Sequence, residues 1–323
     1  METKRKNIID YKKDELVDDI FVVRFKRPVE QYKNGFRFEL RLGDATKEIM
    51  YKYWGPNDEN FVKTLYDSIN KDDVVKVTGR INEWNGVLEI SGNEQATIQI
   101  LKQGDYDVRQ FIKISDRDPN IMWKELINFI DSINDAEIKK IVQAIFNDTE
   151  FAEKFKECPA AMYIHHGWIH GLLEHTVDVC KIAQTTAETH PKLNRDLLIA
   201  GALLHDIGKI REFELTTSIR ATPEAVFVGH VTIGVDMIQR KMDELNTPKE
   251  LQMKLIHMIL THMGDYGSSK THSIPEAVAL HHCDQVSAQT TYMLDLIDKT
   301  DTEDEFMWNK DFGQIYLGDK KRN

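Results

Sequence analysis

Apolar and polar residues alternate along the front of the chain, from about residue 19 to residue 101. The clearest run places four apolar side chains on one strand face, and these are Phe36, Phe38, Leu40 and Leu42. Asn34-Gly35 and Asn85-Gly86 supply the positive φ angles that tight hairpin turns require. A period of two broken by turn residues predicts a small antiparallel sheet.

The order of elements in this region predicts a particular barrel. Residues 49–54 continue the strand pattern, and apolar residues spaced four apart predict a short helix over residues 59–69. Strands then follow over residues 74–81 and 87–90, with a third over residues 96–101. Three strands, a helix and two or three more strands within about 85 residues predict a five-stranded OB-like β-barrel.

The expected ligand of such a barrel is a single-stranded nucleic acid, which needs aromatic side chains for its bases and cations for its phosphates. The candidate nucleic-acid-binding residues are Arg37, Arg41, Lys52, Trp54, Lys76, Arg80 and Trp84. Tyr51 and Tyr53 are further candidates for stacking. In the alternative interpretation, half of the aromatic side chains belong to the barrel core.

Beyond residue 105 the apolar spacing changes to the period of an α-helix, which predicts helices over residues 121–133 and 136–146. Asp118-Pro119 is a start signal for the first of them. The fold class is therefore multidomain, with the five-stranded OB-like β-barrel at the N-terminal end followed by an all-α helical bundle.

Two helices of the second half carry polar residues that an apolar core does not explain. A helix over residues 171–183 places His175 on the same face as Leu172 and Val179. A second helix, over residues 197–210, is almost wholly apolar until it reaches His205 and Asp206. An aspartate is rarely buried unless it is paired or bound to a metal, so we expect a cation at Asp206.

Further histidines and an aspartate extend this candidate site. His230 stands at the start of a helix, His262 closes the helix over residues 251–260, and Asp284 follows the pair His281-His282. Histidine and carboxylate ligands without a thiolate are typical of catalysis by metal-activated water, and a carboxylate can bridge two cations. The predicted metal ligands are His175, His205, Asp206, His230, His262 and Asp284.

Lys209 follows Asp206 by three residues and is predicted on the same side of the helix. It would offer an ammonium group to a scissile phosphate, and we assign Asp206 and Lys209 as the candidate catalytic residues. A simple salt bridge to Asp206 is an equally good interpretation of Lys209. His257, His281 and His282 are histidines that we do not expect to bind the same ions.

Composition narrows the class of protein. The 323 residues are 41% hydrophobic and 29% charged, which suits two domains with real cores. No apolar run approaches the roughly 20 residues of a membrane span, and the basic N-terminus leads into no apolar segment, so we expect no membrane partner. Three separated cysteines without a CxxC fit a reducing cytoplasm.

The net charge of −11 is unevenly distributed. Residues 1–105 carry 18 Lys and Arg against 19 Asp and Glu, so most of the acid lies in the second half. Bound divalent cations would neutralise part of it, while the first part keeps enough cations to line a groove. An ordinary solvated acidic surface explains most of this charge without any function.

The ordered series His175, His205-Asp206 and Asp284 resembles the H, HD and D elements of the HD-domain metal phosphohydrolases, with His230 and His262 matching the extra histidines of two-metal members. The strings Cys158-Pro159-Ala160-Ala161, His165-His166, Gly171-Leu172-Leu173-Glu174-His175-Thr176 and Leu280-His281-His282-Cys283-Asp284, behind an OB-like front, are similar to the YhaM-type 3'-to-5' exoribonucleases. The resemblance covers residues 17–300. Trp168 and His170 depart from the family pattern near the mouth of the site.

This resemblance implies a domain division and a mechanism. We expect an N-terminal extension over residues 1–16, an OB-fold domain over 17–105, a helical linker over 106–156 and an HD domain over 157–323. It implies stepwise hydrolysis of single-stranded RNA from the 3' end, with two divalent ions per chain. Mn is the ion that the family implies, although Co, Fe, Ni or Zn also suit these ligands.

Alternatives from other classes stay open at this point. One is a nucleotidase that acts on small nucleotides, and another is a non-catalytic single-strand-binding factor with a metal-stabilised helical scaffold. The OB-like front argues against the first, and a six-ligand set open to water argues against the second. Single-stranded DNA is a further possible substrate, and the sequence leaves the oligomeric state open.

Overall fold

The computed structural model describes residues 3–162, 164–264, 271–300, 302 and 304–318. The chain divides into two compact units. The first contains Met1–Ile114 together with Leu215–Arg220, and the second contains Ser115–Glu214 and Ala221–Asn323. Along the described ranges no helix has the length and apolar character needed to span a membrane.

A six-stranded sheet forms the first unit, and its pairing closes a barrel. The strands are β1 Leu16–Tyr32, β2 Gly35–Gly43, β3 Glu48–Trp54, β4 Val74–Trp84, β5 Val87–Gly92 and β6 Ile98–Leu101. The pairing order is β1-β2-β3-β5-β4, and β4 pairs again with β1. Only the β3–β5 pair among these five is parallel. Helix α1, Glu59–Ser68, joins β3 to β4, so the predicted OB barrel is confirmed.

The barrel closes because β1 is long enough to serve two neighbours. Its first part, from Leu16 to Val22, pairs with β4, whereas its later part pairs with β2. β6 pairs with the edge of β4 and lies outside the five-stranded closure. This explains why the sequence predicted either two or three strands after the helix.

Side chains at alternate positions of the strands fill the interior of the barrel. Phe38, Leu40 and Leu42 on β2 are buried in its core, as the period of two predicted. Tyr51 and Tyr53 on β3 are equally buried, so neither is available to stack on a base. Their neighbours on β3 point outward, because successive side chains of a strand face opposite sides.

The segment before β1 is part of the barrel core. Ile8 and Tyr11 are buried in the same apolar cluster as the strands. Lys4 is also buried, with its Nζ 3.4 Å from Asp44 and 3.7 Å from Asp19. Its ammonium lies over the Phe21 ring at 3.7 Å from the centroid, so charge and packing together attach this segment.

The second unit is mainly helical. Its longer helices are α2 Pro119–Asp131, α3 Ala136–Phe146, α4 Thr149–Glu157, α5 Gly171–Thr189, α6 Arg195–Leu204, α9 His230–Glu244, α10 Lys249–Thr261 and α11 Pro275–Lys299. Between α6 and α9 lie α7 Lys209–Glu212, the hairpin of β7 Phe213–Leu215 with β8 Ile219–Ala221, and α8 Pro223–Phe227. A second hairpin, β9 Phe306–Asn309 with β10 Gly313–Tyr316, follows α11. The helical bundle is confirmed. The β9–β10 hairpin is an addition to it, whereas Leu215–Arg220 of the β7–β8 hairpin belong to the first unit.

Polar caps define where these helices begin. The side chains of Asp118, Asp135, Asp148 and Asn194 each accept a backbone N–H bond in the first turn of α2, α3, α4 and α6. Helix α5 lies at the centre and contacts α2, α4, α6 and α11. Apolar residues of all these helices share one core cluster, which surrounds the polar residues of α5 and α11 described next.

Candidate metal centre

Six predicted ligands converge from five helices in the second unit. His175 lies within α5 and Asp284 within α11, whereas His230 is the first residue of α9. His205 and His262 cap the C-terminal ends of α6 and α10. Asp206 follows His205 directly. The structure therefore brings together all six residues that the sequence predicted.

The predicted helix over residues 197–210 is interrupted, and this correction matters for the site. Helix α6 ends at Leu204, and a turn leads to the short α7. Gly208 in that turn lies against the start of α9, where an added Cβ would come within 2.0 Å of the carbonyl oxygen of His230. A glycine is needed at this close approach, which places Asp206 beside His230.

One group of ligands surrounds the Nε2 atom of His175. That atom lies 3.1 Å from Asp284 Oδ1, 3.2 Å from His205 Nε2 and 3.6 Å from Asp206 Oδ2. His205 Nε2 is also 3.2 Å from Asp206 Oδ2. Two imidazoles and two carboxylates thus face a common point, as the ligands of one divalent ion would.

A second group surrounds the other oxygen of Asp206. His230 Nε2 lies 3.5 Å from Asp206 Oδ1, and His262 Nε2 lies 3.6 Å from the same atom. The carboxylate of Asp206 therefore turns Oδ2 toward one group and Oδ1 toward the other. This arrangement fits a carboxylate that bridges two cations.

All four histidines are oriented by a hydrogen bond at Nδ1. The partners are Ser287 Oγ for His175 at 3.0 Å, Ala202 O for His205 at 2.9 Å, Glu212 Oε1 for His230 at 3.1 Å and Ile259 O for His262 at 2.6 Å. A carbonyl or carboxylate can only accept, so Nδ1 carries the proton in three of them. In their neutral form these three histidines keep a lone pair on Nε2 toward the centre, as metal-ligating histidines require.

Three polar atoms in this centre are buried without a hydrogen-bond partner from the described residues. Asp206 Oδ1, His230 Nε2 and His262 Nε2 have no hydrogen-bond partner among the described residues. A buried polar atom without a partner costs about 1–3 kcal/mol, and more when the group is charged. The three atoms belong to the second group, and a cation shared among them would satisfy all three. The residues therefore fit a divalent metal.

Burial and charge set the protonation of these groups in a way that suits ligation. Burial lowers the pKa of His175 to about 4, and it also lowers the pKa of His262. Burial opposes ionisation of Asp206, but the Lys209 ammonium and His205 outweigh it and hold its pKa well below its usual range. Burial likewise opposes charge on His205, yet the adjacent Asp206 raises the pKa of that imidazole. A divalent cation would take the place of this proton.

Lys209 forms the salt bridge that one interpretation of the sequence expected. Its Nζ lies 2.7 Å from Asp206 Oδ2, and its side chain is almost fully buried. Burial lowers the pKa of Lys209, but the attraction of Asp206 is larger and raises it above the ordinary value. The residue therefore carries a fixed positive charge next to the first group of ligands.

A cavity of about 380 Å³ opens onto the centre. Asp206, Lys209, His230 and Asp284 line its inner end. The rest of its wall includes residues that the sequence did not identify, namely Met162, Ile164, His165, Glu212, Phe213, Met263, Gln285, Gln289 and Tyr292. Apolar and amide side chains of this kind suit a base and a sugar. Their spacing along the chain carries no common pattern, which is why sequence reasoning missed them.

Three histidines that we did not expect to bind the ions, His257, His281 and His282, lie outside the ligand groups. His257 Nε2 accepts from the backbone N–H of Ser273, and His281 Nδ1 donates to the carbonyl oxygen of His262. His282 is exposed.

The predicted nucleic-acid-binding residues all lie on outward positions of the barrel strands. Arg37 and Arg41 are on β2, Lys52 and Trp54 on β3, and Lys76, Arg80 and Trp84 on β4. Several are already paired with acids: Arg37 lies 3.0 Å from Glu30, Arg41 lies 3.7 Å from Glu48, and Lys52 lies 2.5 Å from Glu89. Because these cations are already paired with carboxylates, the net positive charge of this face is lower than its composition suggests. A bound phosphate would have to displace the carboxylates.

The two tryptophans of this set differ in their environments. Trp54 packs edge-on against Tyr32 with ring centroids 5.0 Å apart, and the Arg37 guanidinium lies over its ring at 5.1 Å. Trp84 ends β4 at the tip of a hairpin and is 67% exposed. Trp84 therefore offers a face to a base without rearrangement.

Comparison with known proteins identifies the family. An HD domain profile matches residues 172–289, a range that holds all six candidate ligands and ends beyond Asp284. The 3'-5' exoribonuclease YhaM of Geobacillus sp. (strain WCH70) is 30% identical over 299 residues, covering 91% of this chain and 87% of the relative. YhaM of Shouchella clausii (strain KSM-K16) is 33% identical over 259 residues, covering 79% and 77%. With an OB barrel in front of an HD domain, the chain belongs to the YhaM family of exoribonucleases and is a hydrolase.

Proposed function

We propose that this protein is a metal-dependent 3'-to-5' exoribonuclease that hydrolyses phosphodiester bonds of single-stranded RNA. The observation that carries the proposal is that the two oxygens of the Asp206 carboxylate face different groups of histidines. Oδ2 faces His175 and His205, and Oδ1 faces His230 and His262. Bound divalent cations would supply an attacking water of lowered pKa and would neutralise the phosphate. The direction of degradation follows the names of the relatives.

The chain's own residues would prepare the site for this reaction. Neutral His175 and His262 present lone pairs, while Asp206 and Asp284 supply negative charge for the ions. Lys209 keeps its proton and lies at the cavity wall, where its ammonium would contact a non-bridging oxygen of the scissile phosphate. Positive charge placed where negative charge develops stabilises the transition state.

The barrel would hold the strand whose end enters the cavity. Its outward residues Arg37, Arg41, Lys52, Trp54, Lys76, Arg80 and Trp84 are the proposed contacts. We assign strand binding to residues 17–105, connection to residues 106–156 and hydrolysis to residues 157–323. Manganese is the proposed ion, in two copies per chain.

An end-labelled substrate tests the proposal. Single-stranded RNA labelled at the 5' end is incubated with the protein and Mn²⁺, with and without a chelator. We expect a descending ladder that the chelator abolishes, and immediate release of labelled mononucleotide when the label is at the 3' end. A duplex RNA and a DNA strand of the same sequence define the substrate class. Hydrolysis of a nucleoside triphosphate without any RNA ladder would instead establish a nucleotidase.

A further inference from the structure

His165 lies in the irregular segment between α4 and α5 and lines the same cavity as Asp206, Lys209 and Asp284. Its ring centroid is 5.3 Å from that of His175. Neither the sequence pattern nor the ligand groups assign a role to this side chain. Its place in the wall of this cavity, beside His175, puts it where a substrate bound there would contact it.

The segment that carries His165 is firmly held. The carbonyl oxygen of His166 accepts from the backbone N–H of Ala160 at 3.1 Å and of Trp168 at 2.9 Å. Gly171 packs so closely there that an added Cβ would lie 2.0 Å from the same oxygen. These contacts fix the backbone directly after His165.

The Nδ1 atom of His165 is buried and has no hydrogen-bond partner in the part of the chain that the structure describes. This differs from the four ligand histidines, whose Nδ1 atoms are all satisfied. His166 also has an unsatisfied Nδ1, but it does not line the cavity, and its Nε2 lies 3.9 Å from Asp178. An unsatisfied buried nitrogen costs about 1–3 kcal/mol, which a ligand that reaches it would recover.

We propose that His165 contacts the substrate, donating a hydrogen bond from its imidazole to a non-bridging oxygen of the phosphate at the cleaved end. This inference rests on the proposed hydrolysis of phosphodiesters. The unpartnered Nδ1 of this cavity-lining ring is the atom that would reach the oxygen, since a neutral imidazole carries one N–H. The Lys209 ammonium on the same cavity wall favours an anionic partner for that donor.

Metal ligation by His165 is the competing explanation. One ring nitrogen from each of His165, His166 and His175 lies within 4.8 Å of the others. However, His175 uses Nδ1 for Ser287 and directs Nε2 to Asp284 and His205, so it has no atom left for a further ion. The geometry therefore favours a substrate contact.

Three variants of His165 test the inference at the level of single atoms. The side-chain amide of His165→Asn places a donor near the position of Nδ1, His165→Gln places it near Nε2, and His165→Ala removes it. His190→Ala is the matched control, because His190 is exposed at the end of α5. Circular dichroism and a thermal melt confirm folding of each variant.

The measurements are metal content per chain, binding of adenosine 5'-monophosphate by calorimetry with Mn²⁺, and kcat/KM on single-stranded RNA. We expect His165→Ala to keep the wild-type metal content, to bind the monophosphate about tenfold more weakly and to lose about 10- to 100-fold in kcat/KM. His165→Asn should recover more of the monophosphate affinity and more of the kcat/KM than His165→Gln. His190→Ala should match wild type in all three.

Two results would overturn the inference. Loss of an ion from His165→Ala would make His165 a metal ligand, and unchanged monophosphate affinity with unchanged kcat/KM would leave it without a role in substrate binding. If wild-type protein cleaves no RNA, the proposed function fails. The calorimetric comparison still decides the role of His165 in that case.

Discussion

Glu212 Oε1 accepts a hydrogen bond from Nδ1 of His230 at 3.1 Å, and its Oε2 lies 3.0 Å from the same ring nitrogen. Glu212 is the last residue of α7 and His230 is the first of α9, so the contact joins two elements that follow the Asp206 turn. A carboxylate behind a ligating imidazole fixes its tautomer and raises its basicity. Glu212 is thus a positioning residue for the second group of ligands.

Replacing Glu212 by Gln should weaken the second ion selectively. We expect affinity for one of two ions to fall about 10- to 100-fold while the other stays near wild type, because His175, His205 and Asp284 do not contact Glu212. Titration with Mn²⁺ followed by calorimetry resolves the two sites. The control is Glu214→Gln, because Glu214 is an exposed carboxylate two residues away. A uniform loss of both ions would contradict the division of ligands into two groups.

Removal of the shared carboxylate should affect both groups at once. Asp206→Ala should reduce RNA hydrolysis below detection and lower the content of both ions, since each group uses one oxygen of this residue. Affinity for a short single-stranded RNA should stay within about twofold, measured by fluorescence anisotropy. Asp236→Ala, on the exposed face of α9, serves as the control. Loss of RNA affinity together with activity would show that strand binding is not a property of the barrel.

Lys209→Met separates the two interpretations of that residue. If the ammonium contacts the phosphate, kcat should fall about 10- to 100-fold with the metal content retained, and Lys209→Arg should recover part of it. If Lys209 serves only as the partner of Asp206, the melting temperature of the metal-free protein should fall while kcat of the metal-loaded protein stays unchanged. Steady-state kinetics and calorimetric melts on the same preparations decide between them.

Trp84 is the barrel residue whose loss should weaken strand binding most clearly. Trp84→Ala should raise the Kd for single-stranded RNA about 5- to 100-fold, because one stacked base contributes about 1–3 kcal/mol. Trp308→Ala removes a comparably exposed tryptophan, 73% accessible, from the second unit. Equal effects of the two substitutions in an anisotropy titration would remove Trp84 from the binding face.

Acidification should destabilise the metal-free protein partly through His165. Its folded pKa of about 2 lies below the unfolded value of 6.5, so below pH 6.5 the unfolded chain binds more protons. Stability then falls as the pH falls from 6.5 toward 2. Between pH 6.5 and 5, the free energy of unfolding of the wild type should fall by about 1–2 kcal/mol more than that of His165→Asn. Urea denaturation with chelator present measures both. Equal losses would indicate that His165 is solvated in the folded state.

The barrel followed from the sequence because its strands are half buried and alternate strictly, as at Phe38, Leu40 and Leu42. The same logic could not separate Tyr51 from Trp54, since both are aromatic and only the closure of the sheet decides which faces inward. The tyrosine is an interior residue three positions before a tryptophan that faces outward. Periodicity identifies two faces, and three-dimensional contacts are needed to decide which one is covered.

The convergence of the six candidate ligands was also predictable, because a buried aspartate in an apolar helix needs a cation or another partner. The interruption of that helix after Leu204 was not predictable from spacing, since the apolar pattern continues through Ile207 and Ile210. His165 and Glu212 were missed for a different reason. His165 stands in a string that carries the family resemblance, but its proposed role depends on an unsatisfied nitrogen, and that of Glu212 on a hydrogen bond between separate elements, which only the structure shows.

The buried segment around Lys4, Ile8 and Tyr11 bears on how a strand-binding fragment should be cut from this protein. A fragment that begins at residue 17 would lose two interior side chains and leave Asp19 and Asp44 facing an emptied pocket. Such a truncation would measure the damage to the barrel rather than its affinity for RNA. A barrel fragment therefore has to include the chain from Lys4 onward.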